Sequence, residues 1–196
     1  MLDAVRDRAR PFFEGAAPAH DWHHVERVGR LARTLARLDD DETVLLAAVY
    51  LHDVGREREA RGEVEDHAVW GAERAREILP DVGADEDTTD HVAHCVRAHR
   101  YSGSVEPETR EARVLCDADN LDAMGAVGIG RAFAHGGTLG HPMHGDEASQ
   151  LAHAKGKLLS LRDRMYTERG RELAAHRHSV VEEFVAEFEA ELAGER

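Results

Sequence analysis

An all-α fold, arranged as a single-domain helical bundle over residues 1–196, is what this sequence predicts, and three observations carry the expectation. Apolar residues recur at helical spacing along nearly the whole chain. Period-2 runs of β-branched or aromatic residues, the mark of strands, are missing. The 196 residues, 42% of them hydrophobic, suffice for one sizeable core without requiring a second domain.

The elements follow in order. A first helix spans about Leu2 to Phe13 and ends at the loop Gly15 to Pro18. Asp21 stands where a side-chain cap opens a longer helix running to about Leu38, with His24 in its first turn and a core stripe of Val25, Val28, Ala32 and Leu35. The acidic run Asp39 to Asp41 caps the third helix, Glu42 to about Val54. That helix is apolar on nearly every side through Val44, Leu45, Leu46, Ala47, Ala48, Val49 and Leu51, as expected of the central helix of a bundle. A polar stretch, Arg56 to Glu63, leads to a helix from about Glu65 to Leu79, stopped by Pro80. Another runs from about Glu86 to His99, followed by a loop from Tyr101 to Pro107 and a helix over Glu108 to Met124. From Gly125 to Gly145 the composition turns to Gly, His and Pro, which predicts a mobile loop, a candidate lid or homodimer contact. Helices near residues 147–167 and 172–192 complete the chain, with His176 and His178 on a solvated face.

Composition narrows the partners. A net charge of −14 argues against nucleic acid and anionic membrane, so a phosphorylated small molecule would have to meet local positive charge such as a metal. Lys155 and Lys157 are the only lysines among 25 basic residues, against 39 acidic ones. That balance suits a halophilic source, although a GC-rich genome would also favour Arg over Lys. No stretch approaches the roughly 18 apolar residues of a membrane span, and the first ten residues carry charges where a signal peptide would be apolar, so the cytoplasm is the expected location. Cys95 and Cys116 are too few for a disulfide framework and read as buried apolar residues.

The strongest physical clue is the end of the third helix. His52 and Asp53 terminate the most hydrophobic segment, and burying two ionisable groups there is costly unless a metal or a hydrogen-bond network compensates. Imidazole with carboxylate oxygen suits Mn, Fe, Co, Ni or Zn, and with more carboxylate and water also Mg. His91 and His94, three residues apart, fit a partly exposed polar face better than a chelate.

His24, the doublet His52-Asp53 in Tyr-Leu-His-Asp-Val-Gly, and Asp119 in Ala-Asp-Asn-Leu-Asp together resemble the HD superfamily of metal-dependent phosphohydrolases. The stretch His20 to Val28 is similar to that family's opening motif, and the likeness covers about residues 20–131. The resemblance implies an HD-type helical fold, a divalent metal held by His24, His52, Asp53 and Asp119, and hydrolysis of a phosphate ester or anhydride, often in a nucleotide, by a metal-activated water. Branches with two metals use further histidines, for which His67 and His99 are the candidates; otherwise these contact phosphate. Some branches place an acidic helper shortly after the doublet. Here Arg56 follows Gly55 and Glu57 comes one place later, so Glu57 takes that role only out of register. Arg27, one turn after His24, and Arg56 are candidate phosphate contacts, and Asp122 a candidate for orienting a ligand or binding a sugar hydroxyl. The alternative function is a non-catalytic sensor binding a nucleotide or metal in the same pocket.

Overall fold

The computed structural model describes residues 1–100 and 103–196, and among these no strand occurs. Two residues of the expected loop Tyr101 to Pro107, Tyr101 and Ser102, lie outside the described residues. By its internal contacts the chain forms two units, residues 1–119 and 120–196.

In the first unit, α1 (Leu2–Ala9) runs into a tighter 3-10 turn, Arg10–Phe13. The second helix, α2 (Trp22–Leu35), opens where expected: the Asp21 carboxylate accepts from the His24 amide at 3.1 Å. It ends at Leu35 rather than Leu38, because Arg110 takes up the Leu35 carbonyl (3.3 Å) and also pairs with Asp40 in the turn that follows. The third helix, α3 (Glu42–Leu51), is capped by Asp41, whose carboxylate accepts from Thr43 and Val44 amides; such a cap contributes about 1 kcal/mol. Val44 to Val49 and Leu51 are all buried, and α3 touches α1, α2, α5 and α6, so it is the axis of this unit.

The chain then turns through His52–Gly55 into a short helix, α4 (Arg56–Ala60), and enters α5 (His67–Asp81) under an Asp66 cap. Pro80 does not stop α5 but occupies its last turn, where the one backbone bond it forfeits is tolerable. α6 (Glu86–Ala98) packs along α5, and α7 (Arg110–Asp122) supplies buried Val114, Leu115 and Ala118. Cys95 and Cys116 are buried as expected, and desolvation pushes both thiols up, Cys95 to about 12, which makes them inert packing.

Gly55 is required by close approach. A Cβ there would lie 2.8 Å from the His67 carbonyl oxygen and 3.1 Å from the Trp70 ring. Gly55→Ala is therefore expected to lower stability by about 1–3 kcal/mol, the usual cost of overpacking against backbone. Urea denaturation measures it, and a midpoint unchanged from the parent protein would contradict the packing argument.

The second unit corrects the expectation for Gly125 to Gly145. Residues Gly125–Leu139 form a helix, α8, and only the stretch beyond its left-handed cap Gly140 is irregular. Two of its glycines serve packing: a Cβ on Gly128 would run into the Ala123 carbonyl, and one on Gly136 into the Gln150 side chain. The expected helix near 147–167 is instead broken into α9 (Gln150–His153), a wide π turn over Ala154–Leu158 and a 3-10 segment, Leu159–Arg164. The last helix, α10 (Glu168–Leu192), begins four residues earlier than expected under a Thr167 cap and lies along α8, where Phe133, Phe184 and Phe188 cluster. His176 is exposed as expected, whereas the His178 side chain is only 13% exposed and pairs with Glu182. Among the described residues no helix is long and apolar enough to cross a membrane.

Candidate metal centre

Helix ends in the first unit deliver the site. His24 lies in the first turn of α2, His52 just beyond the end of α3, His67 at the first position of α5, His99 at the C-terminal cap of α6 and Asp119 near the end of α7. Asp53, following His52, stands among them.

The two oxygens of Asp53 face different groups. Its Oδ2 lies 3.5 Å from His24 Nε2 and 3.8 Å from His52 Nε2, while His24 Nε2 is 3.2 Å from His52 Nε2 and 3.5 Å from Asp119 Oδ1. Its Oδ1 lies 3.4 Å from His67 Nε2 and 3.6 Å from His99 Nε2, and those two nitrogens are 3.3 Å apart. The sequence-predicted ligands thus come together as two nests that share one carboxylate. His24 and His52 are wholly buried, and the Asp119 side chain, 26% exposed, opens the first nest to solvent.

Partner chemistry sets the tautomers. His52 Nδ1 donates to the Val49 carbonyl (2.8 Å) and His99 Nδ1 to the Val96 carbonyl (2.6 Å), each three residues back in its own helix. In the neutral ring Nε2 is then a bare acceptor. Each nest accordingly gathers imidazole lone pairs and carboxylate oxygens, a set that repels itself unless a proton or a cation lies among them. Separations of 3.2 to 3.8 Å are those of atoms sharing one ion at bond lengths of about 2.1 Å. The residues present therefore fit a divalent metal, and the nitrogen–oxygen donor set suits the first-row ions better than calcium.

Electrostatics agree. Burial lowers His52 to about 4 and also lowers His20 and His67, keeping these rings neutral and ready to ligate. His99 goes the other way: burial opposes its charge, but the hydrogen bond and the charge of Asp53 outweigh burial. Asp53 is held well below the usual carboxylate range, because the charge of His52 and hydrogen bonds from His20, His24 and His99 overcome desolvation. Asp119 is lowered in the same way by His24 and His52.

Three contributors went unread in the sequence. His20 Nδ1 approaches Asp53 Oδ2 at 3.2 Å; it stands four residues before His24, in a loop where no helical spacing flags it. Glu59 receives His67 Nδ1 at 2.9 Å and is itself held by Arg56 (2.9 Å) and Arg100 (2.7 Å). Arg100, adjacent to His99, also pairs with Asp66 at 3.1 Å. Glu57, by contrast, has its Oε1 on the Ala17 amide at 3.2 Å, where it ties down the loop before α2. Arg27 is half-buried one turn after His24. His91 pairs with Glu111, and His94 accepts from the Glu108 amide, as a polar face would.

Asp122, in the second unit, is buried and bound to Arg131 at 2.7 Å. Its removal is expected to take a charge-assisted hydrogen-bond partner from a largely buried guanidinium, costing about 1.5–3 kcal/mol. Thermal unfolding of Asp122→Ala checks this, and a loss under 1 kcal/mol would contradict it.

Helices surrounding a shared His-Asp cluster define a class, the HD-type helical proteins. Residues 21–124 match the HD domain, and the chain belongs to that family. It is 34% identical to the Bacillus subtilis (strain 168) protein YpgQ over 199 residues, covering 99% of this chain and 95% of YpgQ. The crystal structure of Bacillus subtilis YpgQ in complex with ADP superposes with a TM-score of 0.80 at 30% identity, covering 99% of both chains. A predicted HD superfamily hydrolase from an uncultured Thermotogales bacterium superposes with a TM-score of 0.71 at 34% identity, covering 97% of this chain and 92% of that one.

Proposed function

We propose that the chain is a metal-dependent phosphohydrolase that cleaves a phosphate ester or anhydride of a small molecule, foremost a nucleotide. The observation that carries this reading is the bridging carboxylate of Asp53, which joins two buried clusters whose imidazole nitrogens and carboxylate oxygens stand at the spacing of ligands around an ion. The likeness to YpgQ, which was crystallised with ADP, supports a nucleotide as the ligand.

A divalent ion (Mn, Mg, Fe, Co, Ni or Zn) supplies Lewis-acid polarisation of a phosphoryl oxygen and acidification of water when bound. His24, His52, Asp53 and Asp119 would hold the first, and His67 and His99 with Asp53 a second. The protein's own groups do the rest. Backbone carbonyls orient His52 and His99, so their lone pairs face inward without a rearrangement cost. Arg56 and Arg100, 33% and 24% exposed, stand beside the second nest, where a guanidinium can take phosphate oxygens that an ion leaves uncovered.

Chelator-treated protein should be screened against nucleoside mono-, di- and triphosphates, sugar phosphates and pyrophosphate with each of the six metals, following phosphate and pyrophosphate release. Metal-dependent turnover of a nucleotide supports the proposal. Nucleotide binding without turnover favours the sensor reading. Absence of stoichiometric metal after titration overturns the metal centre itself.

A further inference from the structure

Histidine ligands need one ring nitrogen occupied by a proton acceptor so that the other is free, and the fold offers that acceptor unevenly. His52 and His99 end helices, where carbonyl groups lack helical partners, and each donates Nδ1–H to the carbonyl three residues back. His67 is at the start of α5, where the helix presents unpaired N–H groups instead. The local backbone therefore provides donors, and an acceptor must come from elsewhere.

It comes from α4. Glu59 Oε2 lies 2.9 Å from His67 Nδ1, and because a carboxylate only accepts, the ring must donate there. Arg56 Nη1 also approaches His67 Nδ1, but at 3.5 Å, and the shorter carboxylate contact decides the tautomer. With Nδ1 protonated, His67 Nε2 turns its lone pair toward Asp53 Oδ1 and His99 Nε2, at 3.4 and 3.3 Å. Glu59 is itself fixed by two arginines, and one of them, Arg100, also grips Asp66, the cap of the helix that His67 begins. Cap, histidine and carboxylate are thereby locked to one another.

We infer that Glu59 is a positioning residue: by accepting the Nδ1 proton of His67 it holds that ring in the tautomer and orientation needed to complete the second nest. The inference deepens the metal reading above and rests on it for its functional meaning, while its structural core concerns the metal-free protein.

Long-range proton–nitrogen NMR on the chelator-treated full chain at pH 8 reads the tautomer directly. His67 is expected to carry its proton on Nδ1 in the parent protein and in Glu59→Gln, whose amide oxygen still accepts, and to become a tautomer mixture in Glu59→Leu. Titration of the same proteins with Mn²⁺ by calorimetry is expected to show one of two binding events reduced by about 10–100-fold in Glu59→Leu. The other event stays within about threefold of the parent, and Glu59→Gln recovers most of the loss. A parent His67 protonated on Nε2 overturns the inference even should Glu59→Leu fail to fold, as does a Glu59→Leu protein with unchanged tautomer and affinity. Absence of Mn²⁺ binding in the parent, with the tautomers as expected, overturns the metal reading and leaves the positioning of His67 standing.

Discussion

Asp53→Asn is expected to remove hydrolysis and both metal-binding events together while leaving the protein folded. The carboxylate is the one group common to both nests, so neutralising it withdraws negative charge from each ion at once. The amide also places an N–H₂ donor where two imidazole lone pairs converge, and it can hydrogen-bond to them in the absence of any ion. The metal-free variant should stay folded but melt below the metal-free parent, because the lowered carboxylate contributes stability at neutral pH, and the metal-loaded difference should be larger still. Activity should fall by at least about a hundredfold, the scale seen when electrostatic stabilisation of a transition state is lost, because the ions that this carboxylate would hold go with it. Calorimetry with Mn²⁺, steady-state rates and melting curves test these points separately. Retained metal binding at parental affinity would remove Asp53 from the centre.

A double effect of this kind separates Asp53 from the ligands that serve one nest. His24→Ala or Asp119→Ala touches only the cluster on Oδ2, and His67→Ala or His99→Ala only the cluster on Oδ1. Unequal losses across these variants would map the two nests independently of any assumed mechanism.

Much of this arrangement was legible in the chain, and the limits have physical causes. The doublet His52-Asp53 announced itself through burial cost, because it closes a helix with no polar face of its own. Asp21 and Asp41 marked helix starts correctly since capping is a local interaction between a side chain and amides two or three residues on. His24, Asp119, His67 and His99 depended on the family pattern, for nothing local says that five helix ends will meet. The Gly-rich stretch misled for a related reason. Glycine disfavours helix by about 1 kcal/mol, yet Gly128 and Gly136 sit where any side chain would strike the Ala123 carbonyl or Gln150, and tertiary contact overrides the local preference. Glu59 was passed over in favour of Glu57 because the chain turns sharply at Gly55, so distance in sequence from Asp53 says little about which carboxylate reaches the cluster.

Acid should destabilise the metal-free protein well above the carboxylate range. His52 has its folded value lowered from 6.5 to about 4, so between these limits the unfolded chain binds a proton that the folded protein refuses. Stability from this group is complete above pH 6.5, falls as pH drops, and stops changing below about 4; the loss amounts to about 3 kcal/mol. His20 and His67, lowered mainly by burial, add losses of the same sign. His99 opposes them: being raised, it contributes stability at low pH that is lost as pH climbs through its folded value. Asp53 and Asp119, both lowered, keep their contributions until pH approaches the ordinary carboxylate range and so do not shape the interval near 5 to 6. Four lowered rings, with His153 in the second unit lowered by burial as well, against one raised ring predict a net decline from pH 7 to pH 4.5. With saturating metal the same decline should be steeper, since protons now also compete with the ion for Nε2, and the starting stability at pH 7.5 should be higher by about 2.7 kcal/mol at a hundredfold excess over Kd. Urea midpoints collected across this range, with chelator and with Mn²⁺, resolve the two slopes. His52→Gln should flatten the chelator curve, and an equally steep curve in that variant would show that the buried imidazole is not its source.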